Sequence, residues 1–427
     1  MRWAVAIVLL SGLAWLSWRP LVAGVVALQA DRARERRDFD RAIELLGRLE
    51  TLDSRSARTA LELGRAMRRR GDLVAADAMF TRALERGCAR HEVATQRLLA
   101  EAQCGDIKDV EPAIESLVAA GAGDEIAEEC YEAIVQGYLN CMRPEKAAEC
   151  LDFWSRWQPQ NPLVAYWRGR MHEQAEEWAT ALEHYRAALE LAPWRYATLI
   201  AAARMERETA ALDAAAARFA DCRSRRPDDP AAAIGLADCR LRLGDREGGE
   251  QLLREALTLE LSPDEQAAAL ANLAELAIED GRISPAAVLA AQAAGIDPRS
   301  PRCRLVHAAV LAKLGDVEAA EKERKVGRDL GHRQVALAEA ARRARVNPEN
   351  ADIRAEVGSL LLGMGLGREA ARWFETALQI DPRHRASHEA LADYFEGVGD
   401  RVRAAPHRAA VAAAEAGAGP ADGTAPP

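Results

Sequence analysis

A small side chain recurs at intervals of 34 residues along most of this 427-residue chain. The positions that follow this spacing form four groups, and the interval is longer only between groups: Ala42, Ala76 and Val110; Ala147, Ala181, Ala215 and Gly249; Ala286 and Ala320; and Ala370 and Ala404. A fixed period of this length indicates pairs of helices, because one pair cannot bury its own apolar face and needs its neighbour to complete the core. The pattern therefore predicts an all-α solenoid.

Eleven frames of 34 residues fit the chain, beginning at residues 23, 57, 91, 128, 162, 196, 230, 267, 301, 351 and 385. Nine of these frames occupy residues 23–334 and two occupy 351–418. Between them, the segment 335–350 predicts an extra helix that breaks the register, and three-residue insertions fall at 125–127 and 264–266. Residues 419–427 are rich in Gly, Ala and Pro, which predicts a disordered tail.

Other positions of the frame are also restricted. Position 8 is mostly Gly or Ala, position 15 is often Gly, and position 24 is aromatic at Phe80, Tyr185, Phe219 and Phe374. Position 32 is proline in five frames. This pattern resembles the tetratricopeptide repeat (TPR) family over about residues 23–418. The resemblance implies a right-handed α-solenoid of about eleven helix-turn-helix units that acts as a non-catalytic binding scaffold.

The same resemblance suggests where a partner binds. In TPR proteins the first helices of successive units line a concave face, and their positions 2, 5, 9 and 12 face the ligand. The partner-contacting candidates chosen from these helices are Arg65, Arg68, Gln136, Asn140, Tyr166, Arg170, Glu173, Arg204, Arg207 and Asp238. The face is Arg-rich in its N-terminal half and acidic or small in its C-terminal half, a gradient that can orient an extended peptide. A simple solvated face is the alternative, since charges on surface helices need no further cause.

Two further features bear on the ligand. Family members that bind chaperone tails use a Lys and an Asn at positions 5 and 9, where this chain has Leu61 and Arg65, then Tyr166 and Arg170, so that clamp is absent. Five tryptophans fall within residues 154–194. Clustered aromatic residues often mark binding hot spots, and Trp157 and Trp167 are the candidates, with burial in the core as the alternative.

The first residues predict a membrane anchor over 1–22. An uncharged run from Trp3 to Trp18 would span roughly 24 Å as a helix, slightly less than a hydrocarbon core of about 30 Å. Trp3, Trp15 and Trp18 lie near its two ends, as interfacial anchors do. Cleavage as a signal peptide is the alternative, but it would remove part of the first repeat, which begins at residue 23. The later arginines favour a cytoplasmic solenoid, whereas an apolar run at the start of the chain favours an extracytoplasmic one.

Composition and motifs limit the chemistry. The net charge of −9 argues against a nucleic-acid partner, and the preference for Arg over Lys, with abundant Ala and Gly, is typical of a GC-rich bacterial genome. The eight cysteines show no CxxC spacing, and the chain has no phosphate-binding loop and no zinc-protease motif. We therefore expect no enzyme and no cofactor. His384 and His388, with His407 one helix later, are the weak candidates for a metal site.

Together these observations predict a scaffold or adaptor that binds protein or peptide partners in its groove at the bacterial inner membrane. The alternative is an extracytoplasmic accessory component of an envelope or redox enzyme system that binds a metal through its C-terminal histidines. Neither reading identifies the partner.

Overall fold

The computed structural model describes residues 22–105, 107–119, 121 and 123–417. Within this part of the chain the regular structure consists of 22 helices, with no strand. The first helix, α1, covers 22–35. The others are α2 (Phe39–Leu52), α3 (Ala57–Arg70), α4 (Leu73–Glu85), α5 (Arg90–Cys104), α6 (Ile107–Ala119), α7 (Asp124–Asn140), α8 (Pro144–Trp157), α9 (Pro162–Gln174), α10 (Trp178–Leu191), α11 (Tyr196–Glu208), α12 (Leu212–Arg225), α13 (Pro230–Arg242), α14 (Arg246–Ala256), α15 (Pro263–Glu279), α16 (Ile283–Ile296), α17 (Pro301–Leu314), α18 (Val317–Val346), α19 (Ala351–Gly363), α20 (Gly367–Ile380), α21 (Arg385–Gly397) and α22 (Arg401–Gly417).

Within each of the two compact units described below, consecutive helices pair into hairpins, from α1 with α2 to α9 with α10 and from α13 with α14 to α21 with α22. The recurring small residue at position 20 explains the close pairing: Ala42, Ala76 and Ala181 are fully buried, because each lies where a second helix crosses its neighbours. The all-helical prediction is confirmed for the described residues.

Position 8 and the aromatic residue at position 24 pack against each other. A Cβ added to Gly64 would lie 2.6 Å from the ring of Phe80, and one added to Gly169 would lie 2.6 Å from the ring of Tyr185. Glycine at position 8 therefore admits the ring, as the sequence pattern predicts.

The turn between the two helices of a unit requires the left-handed backbone conformation at position 15. Gly71 and Gly244 adopt φ values of 102° and 91° there. In four repeats the same position holds a residue other than glycine and still has a positive φ. These residues are Arg37, Met142, Glu176 and Ala210. The hairpin geometry is thus maintained even where the residue is unfavourable for it.

The hairpins form two compact units. The first unit comprises Met1–Asn140 and Pro144–Met205, and the second comprises Cys141–Arg143 and Glu206–Pro427. In the first unit the fully buried Trp154 and Tyr185 belong to one continuous apolar core. In the second unit, one core is built largely from alanines of α15 and α16 and another surrounds Phe374.

The structure locates the two insertions and the segment that breaks the register. The insertions at 125–127 and 264–266 lie inside first helices, so that α7 and α15 each have 17 residues. The segment 335–350 is not a separate helix: residues 335–346 continue α18, a single helix of 30 residues, because no turn residue interrupts the helical sequence after Gly331.

The predicted anchor 1–22, with Trp3, Trp15 and Trp18, lies outside the described residues except at its last position, and the predicted tail 419–427 lies entirely outside them. Among the helices that are described, none is both long and apolar enough to cross a membrane.

Candidate partner-binding site

The first helices of successive repeats form one face of the first unit, called here the first-helix face. A cavity of about 550 Å³ opens on this face. Its lining is charged and comes mainly from α1, α3 and α7: Asp31, Arg34, Glu35, Arg37, Phe39, Arg58, Arg65, Ala66, Arg69, Asp124, Glu125, Glu128, Glu129 and Gln158. Arginines from α1, the following turn and α3 therefore face carboxylates of α7 across this cavity.

Glu129 is the centre of the ion-pair network that fills the base of this cavity. It is 1% exposed and accepts hydrogen bonds from Arg65 Nη2 at 2.7 Å, Arg68 Nη2 at 2.5 Å and Gln96 Nε2 at 3.0 Å. Burial by itself would raise the pKa of Glu129, but the charges of Arg68, Arg65 and Arg69 outweigh it and lower the pKa to about 2. The carboxylate is therefore ionised at any physiological pH.

Neighbouring pairs extend the network to the first repeat. Arg69 donates to Glu132 at 2.7 Å and to Glu128 at 2.8 Å, and Glu128 also accepts from Arg37 Nε at 3.1 Å. Arg37 is one of the residues with positive φ, so the turn after α1 holds its side chain toward α7. The arginines and carboxylates of this half of the face thus pair with one another.

This pairing changes the role of two predicted partner contacts. Arg65 is 7% exposed and Arg68 is fully buried, and both are held by Glu129. They were expected on an open groove surface, and that expectation is wrong because α7 packs its carboxylates against them. Both residues stabilise the first unit from within.

Gln136 and Asn140 belong to the same region but are more accessible. Gln136 Oε1 accepts a hydrogen bond from Gln103 Nε2 at 2.6 Å, and the exposed Asn140 donates to the Gln103 carbonyl at 2.6 Å. Their amide groups are therefore engaged with α5, so a ligand would have to compete for them.

The α9–α11 face, defined here by Tyr166, Arg170, Glu173, Arg195 and Arg204, is less balanced in charge. Glu173 accepts from Arg204 Nη2 at 2.7 Å and from the Tyr185 hydroxyl. Arg170 Nε lies 3.6 Å from Glu173 Oε2, which is an ion pair without a hydrogen bond. The single carboxylate of Glu173 therefore forms ion pairs with two guanidinium groups. The side chains of Arg170 and Arg204 are 38% and 41% exposed.

Arg195 is the residue that sequence reasoning missed on this face. It is 6% exposed and lies 4.7 Å from the Tyr166 ring centroid and 5.6 Å from that of Phe39. Within the described part of the chain, its Nε and Nη1 have no hydrogen-bond partner. Glu132, whose charge also acts on Arg195, is hydrogen-bonded to Arg69. Burial accordingly lowers the pKa of the Arg195 guanidinium.

Other buried polar atoms on the same helices are also unsatisfied. Among described residues, Trp167 Nε1, Arg170 Nε, Thr198 Oγ1 and Arg204 Nε lack a hydrogen-bond partner. Arginine and indole N–H groups can only donate, so the shortage is one of acceptors. An acceptor-rich ligand would satisfy these groups, whereas a cationic one would not.

The remaining candidates are dispersed. Arg207 and Asp238 lie in the second unit, where Arg207 Nε is 3.8 Å from Asp238 Oδ2. Trp167 is 7% exposed, so its proposed role as a surface hot spot is wrong: its ring packs edge-on against Tyr166 at 5.2 Å. Trp157 is 39% exposed beside Tyr131 and remains available for contact.

The three candidate histidines, His384, His388 and His407, do not form one common site. His384 caps α21 through Ser387 and its Nε2 lies 3.0 Å from Asp352 Oδ1, whereas His388 Nδ1 lies 2.9 Å from His407 Nδ1. Across the described ranges, no three His, Cys, Asp or Glu side chains are grouped as metal ligands would be. The histidine cluster expected from the sequence is therefore replaced by a pair and a helix cap.

Stacked helical hairpins, with close-packed glycine and aromatic positions and a charged first-helix face, define a helical-repeat protein. The family model for the tetratricopeptide repeat matches residues 28–102, 142–193 and 200–265. These three segments cover just under half of the chain and are similar to this family, whose members act as protein-interaction scaffolds. The comparison with curated proteins found no matching sequence.

Several solved structures are similar to the chain. Yeast Tom70 is 14% identical, with 94% of this chain and 98% of that chain covered and a TM-score of 0.36. A thermophilic TPR protein of Thermus thermophilus is 23% identical, with 40% and 91% covered and a TM-score of 0.32. YrrB, a TPR protein with an unusual peptide-binding site, is 15% identical, with 49% and 98% covered and a TM-score of 0.29.

Proposed function

We propose that this protein is a non-catalytic scaffold that binds an acidic segment of a partner protein on the α9–α11 face. The family supplies the general role, and the unsatisfied donors of Arg195 and its neighbours among the described residues indicate the chemistry of the ligand. Buried guanidinium N–H groups that lack an acceptor are costly, and this cost is offset when a ligand brings an anion.

A comparison of the α9–α11 face with the surroundings of Glu129 supports the α9–α11 face as the binding site. Around Glu129 the arginines and carboxylates are hydrogen-bonded to one another, so a ligand would have to break internal pairs there. On the α9–α11 face, Arg170 and Arg204 share Glu173 and stay partly exposed. An Asp or Glu side chain, or a C-terminal carboxylate, can accept from these groups without displacing an internal partner.

The binding test uses three fluorescein-labelled peptides of equal length that are rich in Glu, in Lys or in Ser, with fluorescence anisotropy as the measurement. We expect the Glu-rich peptide to bind most tightly. Replacing Arg195 by Met should weaken that binding by about tenfold or more, since truncating one partner of a buried charge pair typically costs about 2 kcal/mol or more.

A matched control is available on α9. Arg168 lies two residues before Arg170 but pairs with Asp152 at 2.8 Å, away from the α9–α11 face. Arg168→Met removes the same charge and should leave the affinity within about twofold of wild type, because exposed ion pairs contribute little. Equal affinity of wild type and Arg195→Met, or preference for the Lys-rich peptide, would refute the proposal.

The membrane location is a further part of the proposal. The apolar run from Trp3 to Trp18 and the start of the first repeat at residue 23 support an uncleaved anchor in a bacterial inner membrane, with the solenoid on the extracytoplasmic side. We expect the full-length protein to resist carbonate extraction from membranes, and a chain truncated before residue 23 to be released. Release of the full-length protein, or a mature N-terminus beyond residue 22, would contradict an anchor.

A further inference from the structure

We propose a second docking surface on the first unit, for a protein segment that has an apolar anchor flanked by Lys or Arg. It is a groove bounded by α6 and α8 with α7 as its floor, called here the α6–α8 groove. It is separate from the α9–α11 face and does not depend on the proposed function.

The groove contains a cavity of about 460 Å³. This volume lies within the range of cavities that hold ligand groups in proteins. Its base is apolar, because Ile114 and Cys130 are each 1% exposed and Ile134 is 9% exposed. An apolar side chain that entered the cavity would therefore leave water for a preformed apolar surface.

Large apolar side chains remain exposed at the edge of this cavity. Phe153 on α8 is 57% exposed and Val118 on α6 is 38% exposed, and both line it. Tyr131 also lines it and lies 5.8 Å from the ring of Trp157, which continues the aromatic surface along α8. Exposed aromatic residues beside an apolar cavity are typical of protein interaction sites.

The charge of the lining favours a basic partner. Of the described residues that line the groove, Glu111, Glu115 and Glu149 are acidic and Lys146 is basic. Lys146 pairs with Glu149 at 2.9 Å, and Glu111 accepts from the Tyr138 hydroxyl at 2.7 Å. Among the described residues Glu115 makes no ion pair, so its charge is open to the Lys or Arg of a partner.

The two thiols in the groove do not alter this chemistry. Burial, with a smaller contribution from nearby carboxylates, raises the pKa of Cys130 and of Cys150 to about 12. Both thiols are therefore protonated near neutral pH and act as small apolar groups in the lining.

The test is selection of phage-displayed random linear peptides on the full-length protein in detergent. We expect enriched peptides in which apolar residues are flanked by Lys or Arg. Their synthetic versions should bind about tenfold or more weakly to Phe153→Asp and to Glu115→Lys. They should bind Arg195→Met like wild type, so this result is independent of the α9–α11 face.

Matched controls place the same changes elsewhere. Val288→Asp introduces a charge at an apolar side chain that is 59% exposed in the second unit, and Glu101→Lys reverses an exposed charge on α5. Both controls should bind the selected peptides within about twofold of wild type. Circular dichroism should show unchanged helix content in all four variants, since each substitution is at a residue that is not buried.

Three results would overturn the proposal. They are the absence of any enriched basic-apolar peptide, binding that Phe153→Asp leaves unchanged, and binding that the two controls weaken equally. Self-association of the chain that Phe153→Asp abolishes would also overturn it, because a second copy would then occupy the groove.

Discussion

Replacing Glu129 by Gln should lower the unfolding free energy of the first unit more than the loss of a surface ion pair would. The carboxylate is buried between Arg65 and Arg68, and glutamine keeps its size while removing its charge. Its pKa falls from 4.5 to about 2 on folding, which corresponds to about 3 kcal/mol of stability at pH 7. In Glu129→Gln the buried guanidinium groups of Arg65 and Arg68 would lack the opposite charge, and we expect a loss of unfolding free energy of the same order.

The pH dependence follows from the sign of the pKa shift. Because the folded-state pKa of Glu129 lies below its value of 4.5 in the unfolded chain, the contribution is complete above pH 4.5 and is lost as the pH falls toward 2. The difference in unfolding free energy between wild type and Glu129→Gln should therefore shrink to about 1.4 kcal/mol at pH 3.

Urea unfolding followed by tryptophan fluorescence measures this difference. Trp154, Trp157, Trp167, Trp178 and Trp194 all lie in the first unit, and Trp373 is the only described tryptophan in the second. The unfolding curve is to be fitted for this unit separately, because repeat proteins can unfold in stages.

The matched control is Glu44→Gln. Glu44 pairs with Arg41, but the two side chains are 54% and 48% exposed, so we expect a loss of about 0.5 kcal/mol. If Glu129→Gln and Glu44→Gln differ by less than about 0.5 kcal/mol at pH 7, the buried network does not stabilise the unit as argued.

Two other predictions concern packing and thiol chemistry. Gly64→Ala should lower the unfolding free energy by about 1–3 kcal/mol, because its Cβ would lie 2.6 Å from Phe80, whereas Gly47→Ala in α2 meets no atom within 4 Å and should raise it slightly. Equal effects would exclude this packing argument. A thiol reagent at pH 8 should modify exposed Cys104 well before Cys150, whose pKa burial raises to about 12, and equal rates would contradict the burial described for α8.

The fold could be predicted because the repeat constrains local chemistry in every unit. Ala42 and Ala76 are small because two helices cross there, and Gly71 has the positive φ that ends the first helix. These requirements involve residues within one frame or its neighbour, so a single sequence reveals them. The extension of α18 was missed because helical sequence alone does not fix where a helix ends when no turn residue marks the boundary.

The candidate site was predicted less well because its contacts connect distant frames. Arg65 and Arg68 meet Glu129 across 64 and 61 residues, and a repeat pattern does not show which charges pair. Arg195 lies in the turn before α11, outside the positions that face a ligand in the family, and its signal is that its buried Nε and Nη1 lack an acceptor among the described residues. Tyr166, Arg170, Glu173 and Arg204, four of the ten candidates, lie in one neighbourhood in the structure, and only the structure shows their unequal pairing.

Hydrogen exchange of the full-length protein with and without the Glu-rich peptide tests the proposed binding face most directly. The account predicts slower exchange in α9 and α11, at Pro162–Gln174 and Tyr196–Glu208, with α3, α6 and α8 unchanged. Protection centred on α3, or on α6 and α8, or no protection at saturating peptide, would contradict it.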